Sequence, residues 1–192
     1  MIYHEALEGH SLRTGDLIAT VDGGGTFYGA LFGLIGMLIP GKPDHIVLYL
    51  GPDGLCVEAG PRGVNLFRFF NERWDSDRMQ GQRGIVDAIY GFGNLARARI
   101  PDPAHEFAAR QVIRNYVLEQ VGKPFNWDFN DPDNEEAFYC SQLAYAAFKR
   151  AWIQVNVAIG AKVHPSLLHR LVTPEAVWNV VQLPDGKAME VG

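Results

Sequence analysis

The chain is poor in cysteine, in basic residues and in long apolar runs, and each shortage removes a class of protein. Two cysteines, Cys56 and Cys140, cannot build the multi-bridge framework of a small secreted scaffold. A single bridge between them stays open. Lysine and arginine number 17 against 22 aspartates and glutamates, for a net charge of -5. No basic excess exists to neutralise a phosphate backbone, so nucleic acid is not an expected partner. The most apolar stretch, Phe27 to Ile39, would span roughly 20 Å as a helix at ~1.5 Å per residue. That is short of the ~30 Å hydrocarbon core of a bilayer. A buried helix is the reading, and a helix on a membrane surface is the alternative. The start, Met1-Ile2-Tyr3-His4-Glu5, lacks the basic and apolar regions of a secretory signal, so the cytoplasm is the default expectation. Internal repeats and low-complexity linkers are also missing.

What is present suits one domain across 1–192. A length of 192 residues suffices for a real core. Hydrophobic residues at 47% and charged residues at 20% argue against wholesale disorder. Strands are expected over 16–20 (DLIAT), 45–50 (HIVLYL), 55–59 (LCVEA) and 63–70 (GVNLFRFF). Gly51-Pro52-Asp53-Gly54 is a turn between the second and third. Residues 71–82 read as a charged loop, 85–92 fit either strand or helix, and 95–100 fit a strand. Asp102 caps a helix with Pro103 at its first position, Phe107, Ile113, Tyr116 and Val117 on its apolar face, and Gly122 as its stop. A second helix contains Cys140 and runs to about Trp152, with Asn134 as an alternative early cap. A third starts at Thr173-Pro174. Strands in the first half and helices mainly in the second predict an α+β fold.

Cys140 is the first candidate for chemistry. Ala144, Ala147 and Ala151 follow it at helical spacing, which puts the thiol on the helix's buried side. In the first turn, unpaired N–H groups and the helix dipole would favour a thiolate. Against this, a free cysteine is often only a small packing residue. His45 and Glu58 come next. With the 51–54 turn, Tyr49 faces Cys56 and Val47 faces Glu58, so His45, Val47, Tyr49, Cys56 and Glu58 share a face. His45 and Glu58 then become diagonal neighbours, with backbones ~7–8 Å apart. A carboxylate there would orient the imidazole, as in a nucleophile–base–orienter triad. A one-residue slip would destroy the argument. The plain reading is a histidine that starts a strand and a glutamate in water.

The combined pattern resembles a known family. Gly15-Asp16-Leu17-Ile18, Asp44-His45-Ile46-Val47-Leu48-Tyr49-Leu50-Gly51, Val57-Glu58-Ala59, Gly63-Val64 and Tyr139-Cys140-Ser141-Gln142-Leu143 are similar to the NlpC/P60 superfamily. The order, histidine before cysteine, resembles its circularly permuted branch with the YiiX/YebB-like proteins. The resemblance runs from about Gly15 to Thr173-Pro174. It implies a permuted papain-like fold, with the cysteine helix packed on an antiparallel sheet. It implies Cys140 as nucleophile, His45 as base and Glu58 as the third polar residue, without cofactor or metal. Tyr49, Cys56, Tyr139 and Gln142 are the candidate pocket. The implied activity is thiol-dependent hydrolysis of an amide bond in a peptide, including cell-wall peptides.

Two departures stand out. Relatives of this branch usually have Cys-Ser-Glu-Leu where this chain has Gln142. A Tyr-Asp pair is commoner where this chain has Phe125-Asn126. Three other readings remain open: a lipid acyltransferase or thioesterase of the permuted type, an inactive binding protein of the same fold, and a zinc site from His45, Cys56, Glu58 and Cys140. Gly23-Gly24-Gly25-Thr26 lacks the ending of a phosphate loop and reads as a turn. His4, His10, His105, His164 and His169 read as solvated or structural.

Overall fold

The computed structural model describes residues 1–7, 10–21, 43–70, 73–74, 88–98, 100, 102–155 and 171–181. The apolar 27–39 stretch, the 23–26 glycines, most of 71–82, His164 and His169 lie outside them. The strands are β1 (His4–Leu7), β2 (His10–Arg13), β3 (Leu17–Val21), β4 (His45–Gly51), β5 (Leu55–Gly60), β6 (Gly63–Phe70), β7 (Arg73–Trp74) and β8 (Ala88–Gly93). The helices are α1 (Pro103–Glu119), α2 (Cys140–Arg150) and α3 (Pro174–Val181). The fold is α+β, with β1–β2 as a hairpin and a six-stranded antiparallel sheet in the order β7-β6-β5-β4-β3-β8.

Strands β4 and β5 are buried on both sides, and alternation sorts their residues. Ile46, Leu48 and Leu50 of β4 join Val57 and Ala59 of β5 in the larger core, with Ile113 and Val117 of α1, Leu143, Ala144 and Phe148 of α2, and Val177 and Trp178 of α3. Val47, Tyr49 and Cys56 fall in a smaller core with Leu12 of the hairpin, Ile18 and Phe67. Helices thus cover one side, and the N-terminal hairpin covers part of the other. Leu48 pairs with Val57 and Tyr49 with Cys56, but Gly51 rather than Leu50 pairs with Leu55, with an irregularity between. Asp53 and Gly54 take positive φ in the turn, which absorbs the extra residue.

Three expectations need correction. Residues 95–97 form a 3-10 turn, not a strand. Asn94 accepts from the Ala96 N–H and Asp16 Oδ1 accepts from the Leu95 N–H, so these donors are not available to a ladder. Phe107 is 53% exposed, and Arg110 takes its place on the buried face of α1. Asn134 does not start α2: its side chain accepts from the Glu136 N–H in a bend, and the helix begins at Cys140.

Arg110 organises much of the first half. It is almost fully buried. Its Nη1 donates to the Thr14 carbonyl at 2.7 Å and to Asp16 Oδ1 at 2.8 Å. Its Nε donates to Glu106 Oε1 at 2.8 Å and its Nη2 to Asn94 Oδ1 at 3.3 Å. Asp16, fully buried, also accepts from the N–H groups of Arg13 and Leu95. Burial pushes the Asp16 carboxyl above its ordinary range, outweighing the pull of Arg110 and of the two N–H groups in the other direction.

Candidate functional site

His45 is the first residue of β4, paired with Thr20, and Glu58 lies on β5, paired with Asn65. Their side chains are hydrogen bonded, His45 Nε2 to Glu58 Oε2, at 2.7 Å, and both are buried, with 9% and 6% of the side chain exposed. An ionised carboxylate only accepts, so an ionised Glu58 takes this hydrogen bond from a protonated Nε2. The contact is of the length expected for a charge-assisted bond. Gly60, two residues on, sits against Glu58 Oε1 with no side chain between them.

Cys140 is half-buried and is the first residue of α2. Its N–H and those of Ser141 and Gln142 precede the first helical bond, Leu143 N–H to the Tyr139 carbonyl. Tyr139 stands at the cap position but does not cap with its side chain. Its phenol instead reaches across to accept the Val172 N–H at 3.1 Å, while Ser141 Oγ donates to the Val172 carbonyl at 2.7 Å. Burial pushes the Tyr139 phenol above its ordinary range. The other helix starts differ: Asp102 accepts from Ala104 and His105 N–H at α1, and Thr173 Oγ1 accepts from Ala176 N–H at α3.

Helix α2 packs on β4 and β5, the strands that carry His45 and Glu58. The hydrogen bonds of the described residues join His45 to Glu58 and not to Cys140. By alternation His45 has the parity of Val47 and Tyr49, and Glu58 that of Cys56. That is the hairpin side of the sheet, whereas α2 packs on the Leu48 and Val57 side.

Of the candidate pocket residues, Tyr49 and Cys56 are fully buried, so they pack rather than line an open pocket. Tyr49 OH donates to Glu5 Oε2 at 3.0 Å, and Glu5 also accepts the Gly54 N–H. Burial first, and Glu5 second, push the Tyr49 phenol upward. Gln142 is fully buried and every hydrogen-bonding site of its amide is used. Oε1 accepts from Asn126 Nδ2 at 3.0 Å and from the Tyr139 N–H at 3.2 Å. Nε2 donates to the carbonyls of Asp131 at 3.1 Å and Asn134 at 2.8 Å. Asn126, of the Phe125-Asn126 pair, and Gln142 therefore meet in one contact. No signal within either segment announces this, because the two lie on different elements.

Among the described residues, no three His, Cys, Asp or Glu side chains converge as metal ligands, and no helix is long and apolar enough to cross a membrane. A cavity of about 240 Å³ lies elsewhere, lined by His10, Leu12, Phe92, Asn94, Arg97 and Val181. Neither Cys140, His45 nor Glu58 lines it. Comparison with family models, curated proteins and solved structures finds no match.

Proposed function

We propose that the chain is a thiol-dependent hydrolase of amide bonds in peptides, built as a permuted papain-like domain of NlpC/P60 type. The observation that carries the reading is the buried His45–Glu58 hydrogen bond, on strands against which the Cys140 helix packs. Glu58 orients the ring through Nε2, and His45 takes the proton of Cys140. His45 begins β4 and Cys140 begins α2, so the thiol reaches the imidazole round the strand end rather than through the sheet. The thiolate attacks the substrate carbonyl, and N–H groups at the start of α2 stabilise the oxyanion. The amine leaves with the proton from His45, and water then releases the acid from the thioester. An acyl-amide or peptide is the partner. A lipid acyl substrate would draw its support from the 27–39 stretch, which lies outside the described residues.

A second reading is favoured by strand parity. With His45 and Glu58 on the hairpin side, they form a structural pair, and the domain binds without catalysing. The two readings separate on the alkylation rate of Cys140 against pH, in a Cys56→Ser background, with and without His45→Ala. The catalytic reading expects a thiolate titrating below the ~8.5 of free cysteine, restored to it by His45→Ala. An ordinary profile that His45→Ala leaves unchanged overturns it.

A further inference from the structure

The first turn of α2 holds its flanking segment without a single charge. Gln142 and Asn126, both buried, hydrogen bond to each other at 3.0 Å. Gln142 ties Tyr139, Asp131 and Asn134 to the helix. Asn126 accepts the Asp128 N–H at 2.9 Å and donates to the Asp131 carbonyl at 3.3 Å. The Asn126 N–H donates to the Phe138 carbonyl, and the Phe138 N–H to that of Pro124. The seam therefore spans both sides of the isolated Phe125–Phe138 bridge that leads into Cys140.

The orientation of the Gln142 amide is dictated by its surroundings, since two carbonyls face one end and two N–H groups the other. A glutamate there would set a carboxylate oxygen against the Asp131 and Asn134 carbonyls. It would fit only while protonated. Once ionised, it would both open the seam and place a negative charge two residues from Cys140. The same holds for an aspartate at 126, which would face Gln142 Oε1.

We propose that Asn126 and Gln142 are positioning residues for Cys140: an uncharged amide pair that locks the 126–139 segment onto the start of α2 and keeps carboxylate charge away from the thiolate. This rests on Cys140 acting as a thiolate, but not on His45 being its base. The N–H groups in the first turn of α2 favour an anion at the same end of the helix. An amide lock leaves that preference intact, whereas a carboxylate lock would oppose it.

The test is the pH profile of Cys140 alkylation by iodoacetamide, in a Cys56→Ser background, for Gln142→Glu, Asn126→Asp and the neutral Gln142→Met. Folding at the assay temperature is checked by circular dichroism. Each acidic variant is expected to match the parent at low pH. Its thiolate titration should then move up by about one unit as the new carboxyl ionises, so alkylation near pH 8 falls several-fold. Gln142→Met should slow or speed the reaction evenly without moving the titration. Parent-like profiles in the folded acidic variants overturn the proposal, as does an equal shift in Gln142→Met. If one acidic variant fails to fold, the other decides. A His45→Ala profile identical to the parent's would sink the base assignment alone, and the Gln142 result would still stand.

Discussion

Replacing Arg110 with methionine keeps most of the side chain's apolar length and removes its guanidinium. Asp16 then loses its cation while fully buried. The Thr14 carbonyl also loses its 2.7 Å donor. Stripping one partner from a buried ion pair costs about 3–5 kcal/mol. Two facts put this case near the lower end. Asp16 keeps two backbone donors at 2.8 Å, from Arg13 and Leu95. Glu106, the other acidic partner, is 17% exposed and can turn to water or to Arg13, which it already meets at 2.7 Å. About 3 kcal/mol therefore corresponds to a fall in Tm of about 6–12 °C for a chain of this size.

The loss should depend on pH, and its sign follows from Asp16. Its carboxyl already sits above the usual range in the fold because burial dominates. Removing Arg110 takes away a force in the opposite direction, so the folded-state value climbs further. An acid held higher in the folded than in the unfolded state binds protons more readily when folded, and stability falls as pH rises between the two values. The deficit of Arg110→Met relative to the parent should be smallest near pH 4 and largest at neutral pH. Urea unfolding followed by circular dichroism at several pH values measures it. Asp16→Asn should recover about 0.5–3 kcal/mol when combined with Arg110→Met, relative to the sum of the single changes. A deficit under about 1 kcal/mol at pH 7, or one that is flat with pH, would refute the claim that this pair is a buried, mutually dependent brace.

Two further changes probe the surroundings of Cys140. Gly63 has φ +96°, and a Cβ there would collide with the Lys123 carbonyl, which accepts the Val64 N–H at 2.8 Å. Gly63→Ala should cost about 1–3 kcal/mol from backbone strain, with the clash added to it, and loosen the 122–126 segment, seen as faster hydrogen exchange at Val64. Unchanged exchange and stability would contradict it. Glu58→Gln keeps an acceptor for His45 Nε2 but removes the charge at 2.7 Å, so Cys140 alkylation at pH 7 should drop about ten-fold while the Tm moves only a few degrees. A folded variant with parent-like reactivity would separate the pair from the thiol.

The central strands were legible because they obey simple rules. Residues 46–50 and 55–57 are apolar and flank a Gly-Pro-Asp-Gly turn, and the Tyr49 to Cys56 pairing follows from that turn. The diagonal contact of His45 with Glu58 comes from the same geometry. The helix caps at Asp102 and Thr173 carry local signals that act where they stand. Elements held by distant partners were not legible. Residues 95–97 look extended, but a carboxylate from Asp16 claims the Leu95 N–H. Nothing in the sequence marks Arg110 as buried, although Glu106 four residues earlier is a hint; its partners Thr14, Asp16 and Asn94 come from distant segments. The β1–β2 hairpin is short and polar, and its role as cover for Tyr49 and Cys56 needs tertiary structure to see.

The same distinction bears on the site itself. His45 and Glu58 are brought together by one hairpin, so sequence spacing alone can suggest their contact. Cys140 stands on an element that arrives from the far end of the chain, and only packing relates it to them. Strand parity sets His45 with Val47, on the side away from α2. On the proposed catalytic reading, the strand end is where Cys140 and His45 would meet. A triad assembled there depends on the start of α2 being held rigidly, since a shift of about 1 Å can cost a hundred-fold in rate. The amide seam of Asn126 and Gln142, and the two hydrogen bonds that tie Val172 to Tyr139 and Ser141, hold the start of α2. Their number is hard to explain by stability alone, because a serine or aspartate at position 139 would cap the helix more simply. Tyr139→Ser in the folded protein distinguishes the two demands. If α2 is held only for stability, the better cap should offset part of the lost Val172 bond and leave Cys140 as reactive as before. If it is held for the thiol, reactivity should fall even where stability recovers.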